Sequence, residues 1–266
     1  MTGPARSIAP RATVAGVIAV GVTAIAHAAP AITSLPAPRN RLTPGLAGVG
    51  DPGHVALTFD DGPDPASTPQ FLDLLAARGV RATFFLLGSM LAESPELGRE
   101  LVAAGHEVAV HGWEHRYLVL RGPRATHDDL ARGRDLVGEV AGRAPTYFRP
   151  PYGVLSTAAL RSARCLGLRP VLWTAWGKDW SARATAGSVF RTVRRDLAGG
   201  GTVLLHDSDC TSAPNSWRSA LGALPALLDE CAERGLRVGP LREHFAEPAT
   251  SAGLAWGIGE GPARTR

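Results

Sequence analysis

Seven short apolar runs, each spaced from the next by a helix-like stretch, restrict what this chain can fold into. The runs are His54–Phe59, Arg81–Leu87, Glu107–Val110, Thr146–Phe148, Arg169–Thr174, Thr202–Leu205 and Leu236–Val238. They are short and β-prone, as strands buried on both faces are. Helix-like stretches cover Ser67–Arg78, Glu93–Ala104, Ala125–Ala141, Ser156–Leu166, Ala184–Leu197 and Ser216–Arg234. The first opens Ser67-Thr68-Pro69, a cap with proline in the first turn, where its missing N–H costs nothing. Its Phe71, Leu74 and Leu75 fall at i, i+3 and i+4, on one helical face. Gly79, Gly105, Gly142, Gly167 and Gly235 follow several of these stretches, supplying the left-handed residue that ends a helix. Such alternation predicts a parallel α/β architecture. An open doubly wound sheet and a barrel both satisfy the count. No G-x-G-x-x-G turn follows the first run, so a dinucleotide-binding fold loses its main support.

Unusual polar residues follow the runs. Asp60 and Asp61 follow the first, His111 the third, Arg149 the fourth, Asp179 the fifth and His206 the sixth. In a parallel α/β barrel the carboxyl ends of all strands open on one face, where active sites form. Six such residues from five runs point to one shared mouth. The first pair sits in Thr58-Phe59-Asp60-Asp61-Gly62-Pro63. Neighbours on an extended chain point to opposite sides, so the two carboxylates are expected to do different work, one at a metal and one on a proton.

His111-Gly112-Trp113-Glu114-His115 places two imidazoles at i and i+4, the spacing of two-histidine zinc sites. The acid is at the wrong offset for H-E-x-x-H, which disfavours that class of metalloprotease. A catalytic zinc takes three protein ligands and keeps one position open. Two histidines and one aspartate supply three. In Arg149-Pro150-Pro151-Tyr152-Gly153 the prolines stiffen the backbone. Tyr152 is then placed to offer its backbone N–H to an oxyanion, and Arg149 to pair with a carboxylate. An acid beside His206 would keep it protonated as a general acid, and Asp179 is the candidate. Trp113, Trp173, Trp176 and Trp180 gather near these strand ends, where wide aromatic faces suit sugar rings.

Other functions are less well supported. The net charge is +4 over 266 residues, yet no basic run is interleaved with aromatics, so no nucleic-acid partner is expected. Cys165, Cys210 and Cys231 form no C-x-x-C pair, which argues against a cysteine zinc site. Arg6 and Arg11 precede an uncharged apolar run, Thr13 to Ala26, and then Ala26-His27-Ala28. That order predicts a signal peptide over 1–28, with an uncleaved anchor as the alternative. It implies a secreted or cell-wall-associated protein with no stable membrane insertion after cleavage. Residues 29–50 lack periodicity and are expected to form a flexible linker, 51–245 the catalytic domain and 246–266 a disordered tail.

Taken together, the motifs resemble the polysaccharide deacetylases of carbohydrate esterase family 4. Thr58–Pro63 matches that family's TFDDGP motif, His111 and His115 its metal-binding pair, and Arg149–Gly153 its RPPYG motif. Asp179-Trp180 and Leu205-His206 match the remaining two. The resemblance implies a distorted, incomplete (β/α) TIM-like barrel of about seven parallel strands. It implies N-deacetylation of a polysaccharide containing N-acetylglucosamine, with peptidoglycan or chitin oligomers as substrate. Asp60 becomes the general base, with Asp61, His111 and His115 as ligands of a divalent metal ion, zinc or alternatively cobalt. Arg149 orients the base, His206 is the acid tuned by Asp179, and Tyr152 shares the oxyanion. Pro150, Tyr152, Trp180 and Leu205 fall to the substrate-binding surface of an expected monomer. O-deacetylation of xylan and non-catalytic binding of wall polymers are the rival functions. Two positions depart from the family pattern. Gly112 stands where Ser or Thr is common, and Trp176 where a longer fourth motif carries Asp.

Overall fold

The computed structural model describes residues 20–245. The start of the expected signal segment and the expected tail at 246–266 lie outside the described residues. Eight parallel strands form one sheet: β1 (His54–Asp60), β2 (Thr83–Leu86), β3 (Glu107–Val110), β4 (Tyr147–Phe148), β5 (Arg169–Pro170), β6 (Ala175–Trp176), β7 (Thr202–His206) and β8 (Arg237–Gly239). Seven lie in the order β5-β4-β3-β2-β1-β7-β6, and β8 pairs with the first three residues of β1. Every residue of β1 is buried, as a strand covered on both faces must be. Phe59 stacks on Phe84 at 4.9 Å and meets Phe71 edge-on at 5.1 Å. These rings anchor the core between the sheet and the helix Thr68–Ala77.

The sheet cannot be flat. Strands β5 and β6 lie at its two ends yet are separated by only four residues. Six strand spacings of about 4.8 Å would hold the ends of a flat sheet about 29 Å apart. The five Cα steps from Pro170 to Ala175 reach at most about 18 Å. The sheet therefore curls until its edges nearly meet, giving the incomplete barrel. The expected single strand Arg169–Thr174 is in fact this crossing. Its first residues, Arg169 and Pro170, pair with β4, and the residues just beyond it, Ala175 and Trp176, pair with β7 on the far side of the sheet.

Residues 29–50 are not a flexible linker. They form a 3-10 helix, Ala29–Ser34, and an α-helix, Pro36–Leu42, and then cover the seam of the barrel. Leu172 donates its N–H to Leu46 O at 2.7 Å, and buried Arg39 donates to Trp173 O at 2.7 Å. The crossing strand lacks a partner there, and its exposed backbone groups must be satisfied by something. The expected helix Glu93–Ala104 is also corrected. Gly88–Glu93 and Pro95–Ala103 are separate helices meeting at Ser94, because Pro95 cannot donate into a continuing helix. No single helix among the described residues is long and apolar enough to cross a membrane. The pair Val20–Ser34 and Pro36–Leu42 passes that test only jointly, bent by 91°.

Candidate active site

Asp60 ends β1 and Asp61 begins the loop, and both line one cavity of about 410 Å³. The expected divergence of the two side chains fails for a backbone reason. Asp61 has φ 80°, and this left-handed turn brings its carboxylate round beside that of Asp60. Aspartate is among the few residues that adopt it readily. Gly62 is then required by close approach, since a Cβ there would lie 2.8 Å from Asp207 Cγ.

Asp61, His111 and His115 converge. Asp61 Oδ1 lies 3.3 Å from His111 Nε2 and 3.5 Å from His115 Nε2. Donor atoms about 2.0–2.1 Å from a tetrahedral zinc stand about 3.3–3.4 Å apart, so the spacing fits a shared cation. The hydrogen bonding fits as well. Asp61 Oδ1 is buried without a hydrogen-bond partner. His111 Nδ1 lies 2.8 Å from Arg149 O. Only a protonated Nδ1 can pair with a carbonyl, which leaves the Nε2 lone pair facing Asp61. Burial pushes His115 down to about 4, leaving it neutral and able to ligate. Burial alone would raise Asp61, but His111, His206 and His115 hold it well below the usual carboxylate range.

Two residues that the motifs do not include hold this triad. Asp129, on the helix Pro123–Ala141, accepts the Trp113 N–H at 2.8 Å. It braces the loop between the two histidines, while Gly112 adopts φ 94°. Thr211 donates its hydroxyl to Asp61 Oδ2 at 2.8 Å.

Arg149 is fully buried at the end of β4. Its Nη1 donates to Asp60 Oδ1 at 2.6 Å and to Thr58 Oγ1 at 2.8 Å. Nη2 and Nε donate to Leu172 O and Val171 O, at 2.9 and 3.2 Å. The guanidinium thus ties β1 to the crossing segment. The second oxygen of Asp60, Oδ2, stands 3.8 Å from His111 Nε2.

His206 ends β7 directly beside Asp60 in the ladder. Asp179 holds it twice: Oδ1 lies 2.9 Å from His206 Nδ1, and Oδ2 accepts the His206 N–H at 2.7 Å. Burial opposes charge on this ring, but the Asp179 contact, with Asp61 and Asp60 beyond it, holds His206 up to about 10. Asp207 turns away, as adjacency to His206 suggests, and accepts the Thr68 hydroxyl at 2.5 Å. Burial pushes it up to about 7.

Aromatic rings form the cavity walls. Tyr152, at φ 59°, stacks on Tyr117 at 3.7 Å and meets His115 edge-on at 4.3 Å. Trp176 stacks on Trp180 at 4.4 Å, with Trp173 beside them. Trp176 therefore occupies the longer motif's Asp position as wall, and Asp179 reaches His206 without it. Leu205 and Pro150 are corrections. Leu205 is core, and Leu204 lines the cavity in its place. Side chains alternate along a strand, so the residue two before His206 shares its face and the residue one before does not. Pro150 is buried in the turn, where its carbonyl accepts the Gly153 N–H, and it does not reach the cavity wall.

Comparison with known proteins follows the same outline. A family model described as polysaccharide deacetylase matches residues 47–171. A chitooligosaccharide deacetylase from a Bradyrhizobium species is 36% identical over 195 residues, which cover 70% of this chain and 88% of the relative. A peptidoglycan-N-acetylglucosamine deacetylase from Bacillus cereus is 34% identical, over 69% of this chain and 84% of the relative. The solved structure of a family 4 carbohydrate esterase from Streptomyces lividans, in complex with acetate, superposes with a TM-score of 0.64 at 32% identity. It covers 71% of this chain and 93% of that one.

Proposed function

Because this chain belongs to the polysaccharide deacetylases of carbohydrate esterase family 4, we propose that it removes N-acetyl groups from N-acetylglucosamine-containing glycans, with peptidoglycan or chitin oligomers as substrate. The observation that carries the proposal is the convergence of Asp61, His111 and His115 beside an Arg149-paired Asp60, with the His206–Asp179 pair in the same cavity. Asp61, His111 and His115 would hold a divalent cation, zinc by donor type with cobalt as a substitute, which when bound acidifies a water to about pKa 7 and polarises the acetyl carbonyl.

The chain's own residues supply the rest. Asp60 takes the proton of the attacking water, and Arg149 holds that carboxylate in place through its 2.6 Å contact. The water oxygen bonds to the acetyl carbon, and the Tyr152 backbone N–H faces the oxyanion that develops. His206 gives its proton to the sugar nitrogen as the C–N bond breaks, releasing acetate and a free amine. Asp179 keeps His206 charged for that step. The aromatic walls accept the faces of the sugar rings. The N-terminal arrangement of arginines, apolar run and Ala-x-Ala supports export and action in or near the cell wall.

Acetate release measured on chitin oligomers, peptidoglycan and acetylxylan tests the proposal. The first two are expected to yield acetate, with activity lost on chelation and restored by zinc or cobalt. Release from acetylxylan alone would make the protein an O-deacetylase. Binding to wall polymer without acetate release by the metal-loaded protein would make it a binding module.

A further inference from the structure

A second cavity, of about 730 Å³, adjoins the first. Trp173 and Trp176 line both. Its remaining wall comes from the seam-covering segment, with Arg39 and Asn40, and from Lys178 and Arg195. The cations here are not matched by acids. Among the described residues Asp196 is the only carboxylate in the lining, and Arg195 takes both its oxygens, at 3.1 and 3.0 Å. No carboxylate comes within ion-pair distance of Arg39 or Lys178 among the described residues.

Arg39 is 1% exposed, donates only to the carbonyls of Trp173 and Thr33, and leaves its buried Nε unpartnered. Its guanidinium lies 5.3 Å from the Trp173 ring centre. Burial and the like charge of Arg149 push it down to about 10, so it stays charged at neutral pH. Trp176 Nε1, at the shared wall, is a second buried donor without an acceptor. A buried cation with no counter-charge is costly to fold around. A concave, low-dielectric wall concentrates its field on whatever enters.

We infer that this cavity is a subsite for a carboxylate-bearing sugar of the substrate glycan, lying beside the sugar that is deacetylated. The inference rests on the deacetylase reading for its substrate, and it deepens that reading from acetylated glycan to anionic acetylated glycan. A neutral chitin oligomer offers nothing to the charges of Arg39 and Lys178. A glycan alternating N-acetylglucosamine with a carboxylate-substituted partner places an anion next to each reacting sugar. Trp173 and Trp176 supply the surface across which the chain passes from one cavity to the next.

The test compares two peptide-free tetrasaccharides by calorimetry on the full chain carrying Asp60→Asn to arrest turnover. One alternates N-acetylglucosamine with its lactyl-ether carboxylate derivative, and the other is chitotetraose. The carboxylated probe is expected to bind about tenfold more tightly at low salt, with the difference closing at high salt. Lys178→Gln, which leaves the Arg195–Asp196 pair intact, should cut the preference to about threefold or less while leaving chitotetraose affinity within about twofold. Lys178 is the only lysine in the chain, so amine acetylation mapped by mass spectrometry gives a second measurement on the unsubstituted protein. The carboxylated probe should protect Lys178, and chitotetraose should not. Equal affinities for the two probes, or a preference unchanged by Lys178→Gln, would overturn the subsite. Binding preference without acetate release from either sugar by the wild type would instead refute the deacetylase reading and leave the subsite standing.

Discussion

Replacing Asp179 with asparagine should move the alkaline limit of activity without dismantling the site. His206 is charged against its burial because Asp179 touches it twice, once at Nδ1 and once at the backbone N–H. Asparagine keeps one acceptor oxygen for the ring but removes the charge. The ring then relaxes from about 10 toward or below the ordinary histidine value of about 6.5. A cation on Asp61 would offset the more distant acids, so the direct contact is the contribution that matters in the working enzyme. As the proton donor, His206 must be charged to act. At pH 8 a group with a pKa of about 10 is about 99% protonated, and one at about 6.5 only about 3%. The expected result is a roughly thirtyfold loss of kcat/KM at pH 8 that shrinks to less than about twofold by pH 6. Acetate release followed from pH 5.5 to 9.5 reads it, with a thermal melt confirming that the variant is folded. A uniform loss at every pH, with the alkaline limb unmoved, would mean that Asp179 only orients the ring, and the protonation argument would be wrong.

The adjacent acids should separate by readout: Asp60→Asn is expected to retain zinc stoichiometry while losing at least 1,000-fold in rate (order of magnitude from loss of a general base), and Asp61→Asn to lose the metal itself, both checked by elemental analysis of dialysed protein. Thr211→Val removes the donor to Asp61 Oδ2 and should weaken zinc binding about tenfold or more, measured by competition with a chromogenic chelator. Acid should destabilise the fold through His54, whose Nδ1 lies 3.0 Å from His244 Nδ1 in a buried pair. Burial first, then His244, pushes His54 down to about 4. The folded state therefore binds its proton less readily than the unfolded chain, so stability is whole above about 6.5 and falls as pH drops toward 4. At about 1.4 kcal/mol per pH unit the loss is on the order of 3 kcal/mol, and urea melts at pH 7, 5.5 and 4.5 should show it diminished in His54→Gln.

What the sequence reveals of the site depends on how many residues must cooperate to make each feature. The ligand and acid–base positions are legible because strand ends in a parallel barrel converge whatever the details of the loops. Asp60, Asp61, His111, Arg149 and His206 needed only that topology. The orientation of Asp61 was not legible. Its left-handed backbone is a property of the packed loop, and a period-two rule applied across the end of a strand predicts the opposite. The same rule applied within the strand would have corrected Leu205 to Leu204, since His206 already marks the inward face. Thr211 and Asp129 carry no local signal. They matter only because distant segments bring them to Asp61 and to the loop carrying His111 and His115.

The segment before the barrel is the clearest case of tertiary context overriding composition. Proline, alanine, glycine and arginine without periodicity describe a linker when the stretch is considered alone. The barrel, however, has a seam where the chain crosses from β5 to β6 in four residues, and the crossing cannot satisfy its own backbone. Leu46 O meets Leu172 N–H, and Arg39 reaches Trp173 O. Low periodicity suits that task, because a strap that follows an irregular seam needs carbonyls and one long donor at particular places rather than a regular apolar face. Arg39 also binds two functions together. It closes the seam, and it lends an uncompensated charge to the cavity beside the catalytic one. Removal of this strap should therefore affect the recognition of anionic sugars as well as the stability of the barrel, whereas a true linker would affect neither.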